Sequence, residues 1–581
     1  MDRIKFIQTL IFIVAALIVF RLFYWQFIAR VDSDSILRLD DIKIPAPRGE
    51  IFASDGFPLV ANQEAFLIYA KPNGLTKSPQ EIAKNLAPFL ISEKYSTGGA
   101  QLSDEEKKQK EQETETKESE LVGALSNKKL VWVQLARKIT LDAKQKIEAF
   151  DISGIDFEKD DKRYYPEASM AAQLLGFVAS DKFGDDIGYF GLEGFYDSQL
   201  KGKAGRLGQL QDPFGFPILV GDFKPVDFRR GSSLYLTIDR SLQFIVEKNL
   251  RDAVRRYGAK EGSIIISQPS SGKILAMATY PSYDPALFTE FEDTLYKNQA
   301  VADTYEPGST FKLITMSAAL DSQAVTPDTK CTVCTGPREI TGHEISTWNN
   351  KYFPDSTMIE VIEHSDNVGM TFVADKLGID RFYDYIEKFG FGKRTEIDLQ
   401  EESRGNIRDK EEWRPIDLAT ASFGQGLAVT PIQMVQAVGV IANGGKLIPP
   451  MVVEKIVENG KEKTVSSKEE TQVISKKTAA QITEMMVNAV ERGEAQAFVP
   501  KGYRIAGKTG TAQIPVSGHY DPEKTIATFI GFAPADDPKF VMLVKFTEPS
   551  SSQFGSETAA PTFFAISTEI LRYLGISPTE E

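Results

Sequence analysis

The longest apolar stretch of the chain lies at its N-terminus, where only four polar side chains interrupt residues 6–28. A helix of this length, at about 1.5 Å per residue, spans the roughly 30 Å hydrocarbon core of a bilayer. Arg3 and Lys5 precede the stretch, and such cations favour the cytoplasmic side. We therefore expect a cytoplasmic N-terminus at residues 1–5, a single-pass cell-membrane anchor at residues 6–28, and an extracytoplasmic remainder. A cleavable signal peptide is the alternative, but no short apolar core with a small-residue cleavage site is evident.

The second half of the chain alternates short apolar runs with longer alanine- and leucine-rich segments. The short runs predict buried strands at residues 263–267, 526–533 and 540–546. The longer segments predict helices at residues 309–320, 368–377 and 560–574. Together these patterns predict a mixed α+β fold with an antiparallel core.

The chain has 581 residues, which is enough for at least two domains. We divide its extracytoplasmic part into a first module of residues 29–230 and a second module of residues 231–581. Within the first module, residues 102–120 form a charge run without an apolar stripe. This run predicts a solvated helix or a disordered insertion, with docking of a partner as the alternative. The net charge of −14 argues against nucleic acid as a partner.

A serine and a lysine in the second module are spaced for nucleophilic chemistry. Ser309 and Lys312 are three residues apart, which places them on one face of a helix. The preceding Pro-Gly pair suits a turn, so we expect Ser309 at a helix N-terminus, where N–H groups help to stabilise an oxyanion. A serine hydroxyl needs a nearby base, and a lysine shielded from water has a lowered pKa that allows a neutral amine.

Two further strings follow in the same module, Ser365–Asp366–Asn367 and then Lys508–Thr509–Gly510 with Thr511 after it. A hydroxyl beside a lysine can relay a proton to a leaving amine, and an amide can hold a substrate carbonyl. The last string lies in a predicted strand, where its glycine indicates the close approach of another backbone. Its lysine and hydroxyls suit a substrate carboxylate. Each string alone could be a structural turn or cap, but the three in order favour an acyl-transfer site.

In this order the strings read S-x-x-K, S-D-N and K-T-G, the motif set of class A β-lactamases and penicillin-binding proteins. The chain resembles the class B penicillin-binding proteins, the monofunctional D,D-transpeptidases of peptidoglycan synthesis, over nearly its whole length. Further segments similar to that family are residues 46–56, 174–178, 191–194, 236–243, 271–282 and 422–431. The family pattern often has S-S-N, where this chain has Asp366 in the middle.

The resemblance implies a penicillin-binding/serine-transpeptidase fold, an antiparallel sheet flanked by helices, in residues 231–581. It implies an elongated α+β pedestal or dimerisation-type domain in residues 29–230. The implied site residues are Ser309 as the acylated nucleophile, Lys312 as its base, Ser365 and Asn367 for proton transfer and substrate placement, and Lys508, Thr509, Gly510 and Thr511 for the substrate carboxylate. The implied oxyanion hole consists of the N–H groups of Ser309 and Thr511. The resemblance implies no metal and no organic cofactor.

The implied reaction cross-links stem peptides that end in D-Ala-D-Ala, through an acyl-Ser309 intermediate and with release of D-Ala. β-Lactams are the implied covalent inhibitors. The K-T-G string and residues 422–426 favour septal synthesis over elongation-type synthesis. A polytopic membrane glycosyltransferase and other division proteins are the implied partners. The alternatives are a D,D-carboxypeptidase or β-lactamase, a β-lactam-sensing receptor, and a non-catalytic scaffold of a wall-synthesis complex.

Cys331 and Cys334, the only two cysteines, form a C-x-x-C pair. A disulfide is expected outside the cytoplasm, and free thiols are the second alternative. A metal site that also uses His343 and His364 is the third. The sequence leaves these three alternatives open.

Overall fold

The computed structural model describes residues 2–24, 38–44, 46–92, 103–182, 184–211, 226–465, 469–516 and 519–579. The chain divides into two compact units. The first contains residues 1–48, 64–161 and 202–231, and the second contains residues 49–63, 162–201 and 232–581. The chain therefore passes between the units several times, and the division at residue 230 stays a prediction about domains.

The N-terminal helix runs from Asp2 to Phe23. Its segment Phe6–Phe23 has a mean hydropathy of 2.4 and no side chain buried against protein. By length and composition this segment can cross a membrane, whereas a core helix of a soluble protein would be mostly buried. Residues 25–28 of the predicted anchor lie outside the described residues.

The first unit is built on a three-stranded antiparallel sheet with Ala65–Ala70 between Val133–Thr140 and Ile155–Lys159. Its other strands, Arg38–Ile44 and Gly205–Gln211, pair with each other. Its helices are Pro79–Ser92, Asp104–Ser126 and Leu141–Glu148, with a short 3₁₀ turn at Pro72–Gly74.

The predicted charge run folds as the helix Asp104–Ser126. Ser103 and Glu106 form a reciprocal capping box at its start, which satisfies two backbone N–H groups. Leu121 and Leu125 are its only buried residues, both in the last two turns. The run is therefore a solvated helix and not a disordered insertion; its residue 102 lies outside the described residues.

The second unit contains a five-stranded antiparallel sheet, as the apolar runs predict. Its strands, in spatial order, are Ile274–Tyr280, Glu261–Ser267, Phe540–Thr547, His519–Ala533 and Ala506–Val516. Neighbouring residues of the four strands other than Ala506–Val516 enter two different apolar clusters, because successive side chains of a strand point to opposite faces. Helices Arg240–Tyr257 and Ala559–Tyr573 cover one face, and Lys312–Asp321, Asn367–Leu377, Pro431–Ala442 and Lys476–Arg492 contribute to the cluster on the other.

A second sheet of this unit has six strands, in the order Lys461–Thr464, Val453–Glu458, Ser233–Leu236, Ile51–Phe52, Pro58–Gln63 and Lys162–Tyr164. Two-stranded pairs are Phe177–Ser180 with Asp186–Tyr189, Arg338–Ile340 with His343–Ile345, and Lys446–Leu447 with Thr471–Gln472. The remaining α-helices are Ala172–Leu175, Gly191–Phe195, Asp197–Leu200, Gln299–Ala302, Met358–Glu363, Ile379–Lys388 and Pro415–Ser422. The 3₁₀ turns are Pro285–Glu290, Asp293–Leu295, Gly308–Phe311, Lys410–Glu412 and Gln496–Phe498.

The two cysteines form a disulfide, which decides among the three alternatives that the sequence leaves open. Cys331 and Cys334 are both fully buried, and their sulfurs are bonded to each other. His364 stacks on the ring of Phe353, with 3.9 Å between the ring centroids, so it has a structural contact of its own. Among the described residues, no three His, Cys, Asp or Glu side chains cluster to hold a metal ion.

Candidate active site

Ser309 lies in a one-turn 3₁₀ helix, Gly308–Phe311, that leads directly into the helix Lys312–Asp321. The predicted position at a helix N-terminus is therefore confirmed. The Gly308 N–H donates to the carbonyl of Gly424 at 3.0 Å, and a Cβ on Gly424 would lie only 2.2 Å from the Gly308 oxygen. Gly424 also has a φ of +83°, so both the close approach and the backbone conformation require glycine there. This close approach holds the turn that presents Ser309.

Lys312 is fully buried and points into a polar pocket made by the second motif. Its Nζ lies 2.5 Å from the carbonyl oxygen of Ser365, 3.2 Å from the Ser365 hydroxyl and 2.8 Å from Oδ1 of Asn367. Burial holds the pKa of Lys312 well below its ordinary value, and the nearby charge of Lys508 lowers this pKa further. The charges of Asp366 and Glu494 oppose that shift. A neutral amine here could accept the Ser365 O–H, which would couple the two groups for proton transfer.

The S-D-N motif reaches this geometry through an unusual backbone. Ser365 has a φ of +54°, the left-handed region, which costs a residue with a side chain about 1–3 kcal/mol. This conformation turns both its carbonyl and its hydroxyl toward Lys312. Asp366 then caps the helix Asn367–Leu377 by accepting the Gly369 N–H at 3.0 Å.

The amide of Asn367 is held from two sides. Its Oδ1 accepts from Lys312, and its Nδ2 donates to the carbonyl of Ser346 at 3.1 Å. The other oxygen of the neighbouring Asp366, Oδ2, is buried without a hydrogen-bond partner among the described residues. Asp366 therefore contributes a helix cap and a negative charge, but no further bond through that oxygen.

The K-T-G motif lies on the edge strand Ala506–Val516 of the five-stranded sheet. Lys508 is 4 % exposed, and its Nζ donates to the Thr509 hydroxyl at 3.1 Å and to the Thr509 carbonyl at 3.2 Å. Burial lowers the pKa of Lys508, and the charge of Glu494 opposes this shift. The Thr509 hydroxyl in turn donates to Oε2 of Glu494 at 3.2 Å.

Gly510 lets this strand pack against the segment that presents Ser309. A Cβ on Gly510 would lie 2.4 Å from Oγ1 of Thr528 and 2.8 Å from Cγ2 of Thr310. A Cβ on Gly308 would lie 3.0 Å from the carbonyl oxygen of Thr511. The close approach predicted from the glycine is therefore present. The oxyanion-hole role of the Ser309 and Thr511 N–H groups stays a prediction.

The structure thus brings the three predicted strings together and adds residues that the sequence did not single out. Glu494 is the most important of these, because it contacts Thr509 and its charge reaches both lysines. No local motif marks Glu494, which lies in a turn just after the helix Lys476–Arg492. Ser346 and Gly555 are also new: Gly555 donates its N–H to the Thr511 hydroxyl at 3.0 Å.

Chemically, this arrangement combines a serine at a helix start, a buried lysine with a depressed pKa, a hydroxyl and an amide beside that lysine, and a second lysine with threonine hydroxyls. The first two can generate an alkoxide-like nucleophile. The last group can bind an anion. Such a site suits acyl transfer from a donor that carries a carboxylate next to its scissile bond.

Comparison with known proteins gives the same picture for both halves of the chain. Residues 262–568 match the family model described as the penicillin binding protein transpeptidase domain, and residues 43–222 match the penicillin-binding protein dimerisation domain. Stage V sporulation protein D of Bacillus subtilis is 33 % identical over 99 % of this chain and 86 % of its own length. Peptidoglycan D,D-transpeptidase FtsI of Escherichia coli is 31 % identical over 78 % of this chain and 74 % of its own length.

Solved structures agree with these sequence matches. A peptidoglycan synthetase from Bifidobacterium adolescentis superposes with a TM-score of 0.73 at 26 % identity, covering 94 % of this chain and 98 % of that one. Penicillin binding protein 3 of Mycobacterium tuberculosis in complex with aztreonam gives a TM-score of 0.69 at 25 % identity, covering 93 % and 98 %.

Proposed function

The chain belongs to the class B penicillin-binding proteins, and from this membership we propose that it is a peptidoglycan D,D-transpeptidase of septal wall synthesis, inhibited covalently by β-lactams. The observation that carries the proposal is the fully buried Lys312, hydrogen-bonded to Ser365 and Asn367 at the base of the turn that presents Ser309. The names of the relatives support it, since FtsI is named as a D,D-transpeptidase and penicillin binding protein 3 was crystallised with β-lactams.

In the first half-reaction, Ser309 Oγ attacks the carbonyl carbon of the penultimate D-Ala and passes its proton to the neutral amine of Lys312. The bond between that carbon and the nitrogen of the terminal D-Ala breaks. The leaving nitrogen takes a proton from Lys312 through the Ser365 hydroxyl, which lies 3.2 Å from Nζ. D-Ala departs, and the rest of the donor stays as an ester of Ser309.

In the second half-reaction, the amine of a neighbouring stem peptide attacks this ester and loses a proton to Lys312. The new amide is the cross-link, and the proton returns to Ser309 Oγ as the ester bond breaks. Asn367 would hold the donor amide, and Lys508, Thr509 and Thr511 would hold the terminal carboxylate. Gly510 contributes by allowing the edge strand to pack against the Ser309 turn.

The proposal is tested by incubating the full-length chain, purified in detergent, with a fluorescent penicillin and measuring the intact mass, beside Ser309→Ala. We expect a long-lived adduct on the wild type alone. A folded wild type that forms no adduct would favour a non-catalytic scaffold. Rapid turnover of the drug would favour a β-lactamase.

The pH dependence of acylation gives a second test, which depends on the charge around Lys312. Because burial lowers the pKa of Lys312, its basic form exists at lower pH than for an ordinary lysine, and the acylation rate rises as pH passes through this pKa. Asp366 opposes the lowering, so Asp366→Asn should lower this pKa further and shift the rising limb to lower pH. Asparagine is also a good N-cap, so the helix should persist.

The measurement is the second-order acylation rate constant of a chromogenic β-lactam at a series of pH values. Asp380→Asn is the matched control, because Asp380 is an exposed residue of the helix Ile379–Lys388. Its profile should coincide with that of the wild type. A rising limb that moves to higher pH in Asp366→Asn would contradict the assignment of that limb to Lys312.

We propose the same topology that the sequence predicts: a cytoplasmic N-terminus, a single-pass anchor in the cell membrane, and domains at residues 29–230 and 231–581 on the outside. The helix Phe6–Phe23 supports the anchor. Division partners, including a polytopic glycosyltransferase, belong to this proposal. Co-purification from crosslinked membranes, with and without the first domain, would test them.

The name of the Bacillus relative, stage V sporulation protein D, favours a second candidate, a transpeptidase used in sporulation. The two uses differ in when the protein is needed. Depletion that blocks septation of growing cells would support the septal role. Normal growth with a failure confined to spore formation would support the second candidate.

A further inference from the structure

The Thr509 hydroxyl already donates its hydrogen bond to a carboxylate of the protein itself. Thr509 Oγ1 accepts from Lys508 Nζ at 3.1 Å and donates to Glu494 Oε2 at 3.2 Å. A hydroxyl has a single proton to donate. It can therefore serve the carboxylate of Glu494 or the carboxylate of a bound substrate, but not both at once.

The position of Glu494 follows from the end of a helix. The helix Lys476–Arg492 ends at Gly493, where a Cβ would lie 2.3 Å from the carbonyl oxygen of Ala489. The turn that follows carries Glu494 to the edge strand. Gly493 thus allows the tight helix end that brings a carboxylate to the K-T-G motif, although the two are fourteen residues apart in sequence (508 − 494).

The surroundings of Thr509 allow its hydrogen bond to Glu494 to be replaced by one to a bound carboxylate. Lys312 and Lys508 are buried, with 0 % and 4 % of their surfaces exposed, whereas Glu494 is exposed. The exposed glutamate can turn into solvent, whereas Thr509 is 8 % exposed and stays in place on the edge strand. A second carboxylate arriving beside Thr509 would repel the glutamate.

We propose that Glu494 is an internal competitor for the carboxylate subsite: it holds the Thr509 hydroxyl in the free enzyme and must release it before the terminal carboxylate of an acyl donor binds there. The inference rests on the proposed function, because it needs Lys508 and Thr509 to bind that carboxylate. Glu494 touches none of the reacting atoms. It is a positioning residue that sets the affinity for carboxylate-bearing donors.

The test measures acylation of the full-length chain by benzylpenicillin in a stopped-flow instrument at a series of drug concentrations. This separates the dissociation constant of the non-covalent complex from the acylation rate constant. The pH is set on the plateau of the wild-type profile, so that the influence of Glu494 on the pKa of Lys312 does not enter. We expect Glu494→Gln to lower the dissociation constant about two- to tenfold, the range of one net hydrogen bond, with little change in the rate constant on this plateau.

Two further variants keep the result specific. Glu491→Gln removes an equal charge from the exposed end of the helix that precedes Glu494, where Glu491 lies close enough to act on Arg504, and it should leave both constants unchanged. In a Thr509→Val background, Glu494→Gln should have no effect, because there is no hydroxyl left to release. The gain should also persist at high salt, where a purely long-range charge effect is screened.

The proposal is overturned if Glu494→Gln behaves like Glu491→Gln, if it weakens binding, or if the gain is as large in the Thr509→Val background. A gain that disappears at high salt would likewise assign the effect to general repulsion. These outcomes differ from a failure of the proposed function, in which the wild type itself would form no adduct. Equal melting temperatures of all variants would show that folding is not the cause.

Discussion

Replacing Lys312 by methionine or by arginine is expected to lower the rate of Ser309 acylation by about 10²- to 10⁴-fold, the range that a general base contributes. Methionine fills a similar volume but cannot accept a proton. Arginine keeps a positive charge at any accessible pH, and its planar group does not fit the three acceptors around Nζ. The measurement is the second-order acylation rate constant of a chromogenic β-lactam.

The matched control for this prediction is a second buried lysine of the same unit. Lys545 is 3 % exposed, and burial lowers the pKa of its amine too, but its Nζ donates to Thr547 at 3.2 Å and lies 5.6 Å from the ring centroid of Tyr305. Lys545→Met should therefore keep acylation within a few-fold of the wild type. A Lys312→Met protein that folds and is acylated at the wild-type rate would remove Lys312 from the mechanism.

The second large effect concerns stability and comes from a buried ion pair away from the site. Arg163 and Glu193 have side chains only 8 % and 0 % exposed, and two guanidinium nitrogens of Arg163 donate to the same Glu193 oxygen, at 2.9 and 2.5 Å. Arg163 also donates to Asn62 at 2.8 Å. Glu193→Gln should lower the free energy of unfolding by about 3–5 kcal/mol, because it leaves a buried guanidinium without its counter-charge.

This loss is measured by unfolding the full-length chain in denaturant and recording tryptophan fluorescence, to which Trp348 and Trp413 of the second unit contribute. Glu470→Gln is the control, since Glu470 pairs with Lys446 at 2.7 Å on the surface and both side chains are more than 40 % exposed. It should change the unfolding free energy by less than about 1 kcal/mol. If the two variants unfold alike, the pair has no special role. Replacing both Arg163 and Glu193 by apolar residues should recover part of the loss.

Much of the fold could be predicted from local patterns, because each depends on residues that are neighbours in the chain. The apolar runs at 263–267, 526–533 and 540–546 fall within strands of the central sheet, and the segments 368–377 and 560–574 fall almost entirely within helices. The charge run at 102–120 was compatible with either a solvated helix or a disordered insertion. The capping box at Ser103 and the buried Leu121 and Leu125 decide for the helix.

The candidate site could be predicted in its chemistry and in the direction of the Lys312 pKa shift, but the charges that surround the two lysines could not. The spacing of Ser309 and Lys312 follows from helix geometry and is visible in four letters of sequence. Three arrangements are not visible in this way: the left-handed Ser365, the Gly424 backing of the Ser309 turn, and the contact between Glu494 and Thr509. The last two require segments that only the folded chain brings together.

The sequence by itself thus determined the apolar N-terminal helix, the main strands and helices of the second unit and the candidate reactive side chains, because periodicity and short spacing are local properties. The tertiary structure alone decided that Cys331 and Cys334 pair, that Arg163 meets Glu193, and which charges surround Lys312. The physical reason is that the burial of a side chain and the charges that act on it depend on every segment that packs around it, including segments far away in the sequence. Residues 312, 365–367, 494 and 508–509 become neighbours only when the helices and the edge strand have closed around them.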